Sequence, residues 1–437
     1  MADLLEIQRK GFEEYGRFVN PLIAQRANIA GEPYRMVRVE DGRLLDSDGI
    51  AYEDFHGTQQ FGHRHPAVTK AVQEFLATDL PNWYPSRVSP QAGRFAKKLC
   101  ERSGFYDTTF FVLSGSDTVE AAIKLARSAT RKPRVLGLAN AYHGCAMGST
   151  ALMADGPFRD PFGPHVPGLE SLPFGDIDAL AKALAAGDVG GVIVEPLQGE
   201  GGVRELPAPY VAALCELTEK HGVFLVADEV QTGLGRTGRF LKSETWPRRP
   251  DAVLLAKALG GGLVPVSAML CKRSWWERAY GGDFEDGESH NSTFSYHALG
   301  AVAGLAALDV LTDELIARVA RLGAKLKSDL HSALTGNALY RETRGEGLML
   351  GVQLEQPDHP WLSFEHFGFP GLAASGRATI APLLCARMYK RGFYCFACGH
   401  DWSVFRLQPR FTIAEETLTA FVRAMREELD VLAEIAA

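Results

Sequence analysis

The middle of this chain sets short, wholly apolar runs against amphipathic stretches, and few folds accept that alternation. "PRVLGLAN" (133–140) reads as a strand, and "VGGVIVEP" (189–196), "GVFLVADEV" (222–230) and "DAVLLAKAL" (251–259) are further short apolar runs that end in polar residues. "TVEAAIKLARSAT" (118–130) puts Val119, Ala122, Ile123 and Ala126 on one helical face. "APYVAALCELTEKHG" (208–222) is an amphipathic helix closed by Gly222. Strand, helix, strand, helix predicts an α/β fold, a mostly parallel sheet with helices on both faces.

At 437 residues the chain is too long for one ordinary core and long enough for two domains. From about residue 312 the pattern changes to a long helix, "DELIARVARLGAKLKSDLHSAL", a strand-like "GEGLMLGVQLE", a helix near 380–391 and a closing helix. We therefore expect a large domain over 56–311 and a smaller α+β domain over 312–437, with residues 1–55 packing against the latter; "RMVRVEDGRLLDSDGIAYEDF" (35–55) alternates like a meander. Acidic residues outnumber basic ones, 53 to 46, which argues against a nucleic-acid or anionic-membrane partner. The N-terminus lacks the uncharged core of a signal peptide, and no stretch nears the roughly 18 apolar residues of a membrane span, so a cytoplasmic protein is expected. Seven scattered cysteines fit reduced thiols. Cys395 and Cys398, with His400 close by, lack a second ligand pair for zinc and are expected to be ordinary thiols.

In a parallel α/β sheet, ligands collect at the carboxyl ends of the strands. Those ends carry Glu195 after "GVIV", Asp228 after "VFLVA" and Lys257 after "AVLLA". An unpaired buried charge costs several kcal/mol, so three together point to a site rather than to core. In "FVLSGSDTVEAAIKLAR" a strand ends at Ser114, Gly115 and Ser116 and a helix opens at Asp117 or Thr118. That is either a phosphate seat on a helix N-terminus or a plain N-cap. Gly233-Leu-Gly-Arg-Thr-Gly238 matches GxGxxG, but "DEVQT" intervenes after the strand and no helical pattern opens at the third glycine. A nicotinamide oxidoreductase built on it is therefore disfavoured. A buried lysine beside an anion seat and a carboxylate suits a Schiff base to an aldehyde cofactor, and pyridoxal 5'-phosphate needs those three parts.

These residues resemble the class III (ω-type, ornithine-aminotransferase-like) pyridoxal-phosphate aminotransferases of fold type I. "SGSDTVEAAIKLAR", "AYHG" (141–144), "VEPLQGEGGV" (194–203), "VADEVQTGLGRTGR" (226–239), "LLAKALGGG" and "STFSYHALG" (292–300) occur in that family's order, and the likeness runs almost the length of the chain. The resemblance implies a large domain with a mostly parallel seven-stranded sheet, a smaller α+β domain, and transfer of an amino group from glutamate or an ω-amine to a carbonyl acceptor. Lys257 is similar in place to the lysine that holds the cofactor as a Schiff base and moves the proton. Asp228 matches the aspartate that pairs with the pyridinium nitrogen. Val230 would lie beneath the ring, Tyr142 on its other face, His143 beside it and Gln231 at the phenolic oxygen. Ser114, Gly115 and Ser116 match the phosphate cup. Thr293 resembles the threonine that reaches the phosphate from a neighbouring subunit, implying a homodimer with shared active sites. Glu200 and Arg406 resemble a gating pair, the arginine taking an α-carboxylate and the glutamate neutralising it when an ω-amine enters; a structural ion pair is the other reading. An aminomutase or racemase of the same family remains an alternative to transfer.

The chain departs from the family's pattern in places. Arg410 stands where a proline is usual, and His297-Ala298 where Asn-Pro is usual. Arg410 is either a second carboxylate contact or, as we expect, a solvated arginine. The long aromatic segment 357–376, with Trp83 and Tyr84 in "PNWYPSR", either walls the space for a bulky substrate or is an insertion packed on the surface.

Overall fold

A computed structural model describes residues 2–30, 33–366 and 375–437. The chain divides into two compact units, Pro66–Val319 and Met1–His65 together with Ala320–Ala437. The unit Pro66–Val319 is built on a seven-stranded sheet. Its strands lie in the order Thr108–Val112, Ser267–Cys271, Ala252–Leu255, Phe224–Asp228, Val189–Val194, Arg134–Leu138 and Leu169–Leu172. Ser267–Cys271 runs antiparallel to both its neighbours, and every other neighbouring pair is parallel. The fold is α/β, as the alternation of the sequence predicts. The central strands Val189–Val194, Phe224–Asp228 and Ala252–Leu255 are buried at every residue. Burial on both faces is the reason their sequences are continuously apolar instead of alternating.

The helix Gly115–Thr130 buries Val119, Ala122, Ile123 and Ala126, the face its periodicity predicts. It opens at Gly115, earlier than Asp117 or Thr118, because a capping box forms over Ser114. The Ser114 hydroxyl accepts from the Asp117 N–H at 3.2 Å, and the Asp117 carboxylate accepts from the Ser114 N–H at 3.0 Å. The paired glycines in "VGGVIV" bring this helix close to its strand. A Cβ on Gly191 would stand 2.8 Å from Ala126 Cβ, and one on Gly190 2.5 Å from Thr130 Oγ1. Close seating of the helix fixes where its first turn meets the sheet.

In the other unit, Met36–Glu40, Arg43–Asp46 and Ala51–Asp54 form an antiparallel meander, to which Phe393–Tyr394 adds in parallel beside Ala51–Asp54. A second sheet orders Tyr340–Glu346, Met349–Leu354, Val404–Leu407 and Phe396–Ala397. The closing helix Glu415–Ala436 buries Leu418, Phe421, Met425, Leu429 and Leu432 at helical spacing. Cys395 and Cys398 are both buried. Arg410 is not solvated: its guanidinium makes two bonds of 3.0 Å to the Glu53 carboxylate, with side chains only 14% and 8% exposed. The fork of the arginine matches the carboxylate edge to edge, so the charge sits inside the unit at modest cost. Of the segment 357–376, residues 367–374 lie outside the described residues. In the described part, Trp361 is 64% exposed and its ring stacks on His366 at 5.1 Å.

Removing one partner of the Arg410–Glu53 pair leaves a buried charge. Arg410→Ala is expected to destabilise the protein by about 3–5 kcal/mol, and pairing Arg410→Met with Glu53→Leu to restore most of it. Denaturant midpoints of the three proteins measure this.

Candidate functional site

Three neighbouring strands deliver the three charged residues. Asp228 closes Phe224–Asp228, Glu195 follows Val189–Val194 on one side, and Lys257 lies two residues past Ala252–Leu255 on the other. Strands in a sheet lie about 4.8 Å apart, so parallel ends bring these groups to one edge. Lys257 has φ 50° and starts the 3₁₀ turn Lys257–Gly260. That left-handed conformation costs an L-residue about 1–2 kcal/mol, and it turns the chain away directly after the strand.

A cavity of about 310 Å³ opens at this edge. It is lined by Lys257 and Asp228, by Ser114, Gly115 and Ser116, by Tyr142 and His143, by Val230 and Gln231, and by Glu200. The remaining predicted residues are not part of its lining. Thr293, Trp83 and Tyr84 gather at a separate shallow recess with Arg87, Ser89 and Tyr296, and Trp83 Nε1 donates to the Thr293 carbonyl at 2.6 Å. Arg406 is buried on Val404–Leu407, in the unit Met1–His65 with Ala320–Ala437. The loop Gly233–Gly238 is a run of turns with no helix opening at its third glycine, so it offers no dinucleotide fingerprint.

Asp228 is anchored at both oxygens. Its Oδ2 accepts from His143 Nδ1 at 2.7 Å and its Oδ1 from the Val230 N–H at 3.1 Å. Burial opposes a charge on His143, but the hydrogen bond to Asp228 and the charges of Asp228 and Glu195 outweigh it, and its pKa is raised. Glu195 is also buried, and its Oε1 accepts from the Tyr142 N–H at 2.9 Å and its Oε2 from the Gly199 N–H at 3.0 Å. Burial pushes its carboxyl up to about 7 against the pull of His143 and the two backbone donors, with Asp228 adding to the rise. Gln231 Nε2 donates to Glu200 Oε1 at 3.3 Å.

At the helix start the N-cap reading holds for Ser114. The Ser114 hydroxyl is spent on the N-cap, while Gly115 and Ser116 present first-turn N–H groups, which have no partner within a helix. Ser116 Oγ accepts from the Cys145 N–H at 3.1 Å. Gly144, at φ +113°, permits this approach, because a Cβ there would fall 2.1 Å from Ser116 Oγ.

One serine of the cavity wall escaped sequence reasoning. Ser267 lines the cavity although it starts its strand. Its strand runs antiparallel, so its amino end, not its carboxyl end, reaches the edge. Glu195 was visible as a strand-end carboxylate, but its two backbone partners were not.

The residues present fit an aldehyde cofactor bearing a phosphate and a protonatable ring nitrogen. The cavity holds an amine, a helix start of 16 residues and an oriented carboxylate. The buried Nε2 of His143 has no hydrogen-bond partner among the described residues, leaving one polar position for a ligand or water.

A family model described as aminotransferase class-III matches residues 26–429. The aminotransferase PigE of a Serratia strain is 33% identical across 96% of this chain, which spans 53% of that longer protein. An ornithine aminotransferase of Staphylococcus aureus is 32% identical, with 90% of this chain and 95% of that protein covered. Among solved structures, the ornithine aminotransferase of Toxoplasma gondii superposes with a TM-score of 0.78 at 27% identity, covering 90% of this chain and 89% of the other. An amine transaminase from an uncultivated Pseudomonas species, solved in its PLP-bound form, gives 0.77 at 27% identity, covering 90% and 93%.

The raised carboxyl of Glu195 makes stability depend on pH. Between its ordinary value of 4.5 and about 7 the folded chain keeps a proton that the unfolded chain releases, so stability falls as pH rises through that window. His143 acts in the same direction, its contribution being lost as pH rises above its ordinary 6.5 through its raised value. In the cofactor-free protein, the thermal midpoint of the wild type relative to Glu195→Gln should fall between about pH 5 and pH 8. Calorimetry at each pH measures this, and a constant difference would contradict it.

Proposed function

Because the chain belongs to the class III aminotransferase family, we propose that it binds pyridoxal 5'-phosphate and transfers an amino group from glutamate or an ω-amine to a carbonyl acceptor in two half-reactions. The observation that carries this reading is the placing of Lys257 and Asp228 at adjacent strand ends, in one cavity with the first turn of the helix Gly115–Thr130. When bound, the cofactor supplies a conjugated ring that stores the electron pair left when a C–H bond beside an amine breaks.

The chain's own residues do the rest. Lys257 would hold the cofactor at its aldehyde carbon and, once free, would move the proton from the donor's Cα to that carbon. Asp228 keeps the ring nitrogen protonated, and the bond from His143 Nδ1 keeps that carboxylate in line. Gly115 and Ser116 give N–H groups to the phosphate, and the Ser114–Asp117 capping box keeps that turn formed. Val230 and Tyr142 cover the two ring faces, and Gln231 meets the phenolic oxygen. Arg406 takes the α-carboxylate of an amino-acid donor, and Glu200 tunes the site for ω-amines. Thr293 reaches the phosphate of a second copy, making a homodimer with shared active sites, and the bond from Trp83 holds the Thr293 backbone in place. Trp83 and Tyr84, beside it, wall the substrate space. Among the described residues no helix is long and apolar enough to cross a membrane. We place the enzyme in the cytoplasm, acting on small molecules and needing neither nucleic acid nor membrane.

The purified protein should be yellow, with a visible absorbance band that borohydride bleaches and Lys257→Ala abolishes. A colourless protein that takes up no added pyridoxal phosphate would overturn the reading. Arg406→Ala should slow the half-reaction with glutamate by roughly 10–150-fold, the worth of a charge-assisted bond. The reaction with a simple ω-amine should be little changed, as single-turnover absorbance traces would record.

A further inference from the structure

The proposed reaction leaves Glu195 without a task, yet its carboxylate is buried in the cavity wall at 6% exposure. Burying a carboxylate costs several kcal/mol, and an apolar residue of similar size would fill that space without the cost. What only the carboxylate does is accept two backbone bonds at once. The Tyr142 N–H reaches Oε1 at 2.9 Å, and the Gly199 N–H reaches Oε2 at 3.0 Å.

Those donors belong to separate segments. One follows the strand Arg134–Leu138 and carries Tyr142 and His143; the other follows Leu197–Gln198 and carries Glu200. The same segments meet twice more. Gln198 Nε2 donates to the Ala139 carbonyl at 2.9 Å. Gly201 packs so closely that a Cβ would stand 2.5 Å from the Asn140 carbonyl oxygen. Three neighbouring contacts therefore join the segment bearing the ring-covering tyrosine to the one bearing Glu200.

We propose that Glu195 is a positioning residue that locks Tyr142 and Glu200 into one body, coupling the fit of the cofactor ring to the placing of the carboxylate that sorts donors. This rests on the pyridoxal-phosphate reading above. Its two oxygens are both required, because an amide in their place can accept only one of the bonds and turns a donor toward the other N–H.

Glu195→Gln, of nearly the same size, tests this in the cofactor-loaded enzyme at a pH above about 7, where the wild-type Glu195 is ionised. The variant should still show the Lys257-dependent absorbance band but release cofactor about 10–100-fold faster, the effect of one unsatisfied buried donor. Visible circular dichroism per mole of bound cofactor should fall, since it reports how the ring is held. Hydrogen exchange should quicken together in peptides spanning 139–145 and 197–202. A lowered thermal midpoint with unchanged dichroism would reduce Glu195 to a merely structural role and overturn the proposal. So would exchange quickening in one peptide alone. If the variant does not fold, the loaded wild type decides: the two peptides must be protected and open together under mild denaturant, and independent opening overturns the proposal. A wild type that shows no band at all would instead overturn the cofactor reading, leaving the exchange result to judge the coupling.

Discussion

A parallel strand buried on both faces cannot carry a charge along its length, and this constraint organises the large unit. Val189–Val194, Phe224–Asp228 and Ala252–Leu255 are buried throughout. Polar chemistry is displaced to where each strand stops, and parallel direction makes adjacent strands stop on the same side. Glu195, Asp228 and Lys257 come together through this displacement, although their strands are separated along the chain by helices and loops. The close seating of the helix Gly115–Thr130 at Gly190 and Gly191 adds the helix start to the same edge.

Each buried charge at that edge is answered by a specific partner. Asp228 has the His143 ring and the Val230 N–H, and Glu195 has two backbone N–H groups. Raised values at both His143 and Glu195 show how burial and close charges compete within a few ångströms. Rigidity in the cavity wall arises from this satisfaction of polar groups as much as from apolar packing. Lys257 sits in a left-handed backbone position at the end of its strand. Such conformations persist where the surroundings over-determine them, and they gather at functional sites.

The residues that line the cavity could be read from the chain where each breaks a pattern: a lysine and an aspartate ending apolar runs, and Ser-Gly-Ser before a helical period. That helix starts ahead of its periodic stretch, since periodicity marks only where apolar spacing begins, whereas the Ser114–Asp117 capping box draws the first turn back to Gly115. Arg410 looked like a solvated residue, but its partner Glu53 lies 357 positions away in the sequence. Ser267 was passed over because nothing local reveals that its strand runs against the others.

By itself the sequence determined the α/β class, the apolar strands, the family likeness and the strand-end places of Lys257 and Asp228, because burial and periodicity are local and leave local marks. Only the tertiary structure decided what those residues face. It paired Asp228 with His143, closed Arg410 on Glu53, and brought the Tyr142 and Gly199 amides to the two oxygens of Glu195. Such partners are chosen by strand order and loop approach, which depend on the whole packed chain and not on any stretch of it.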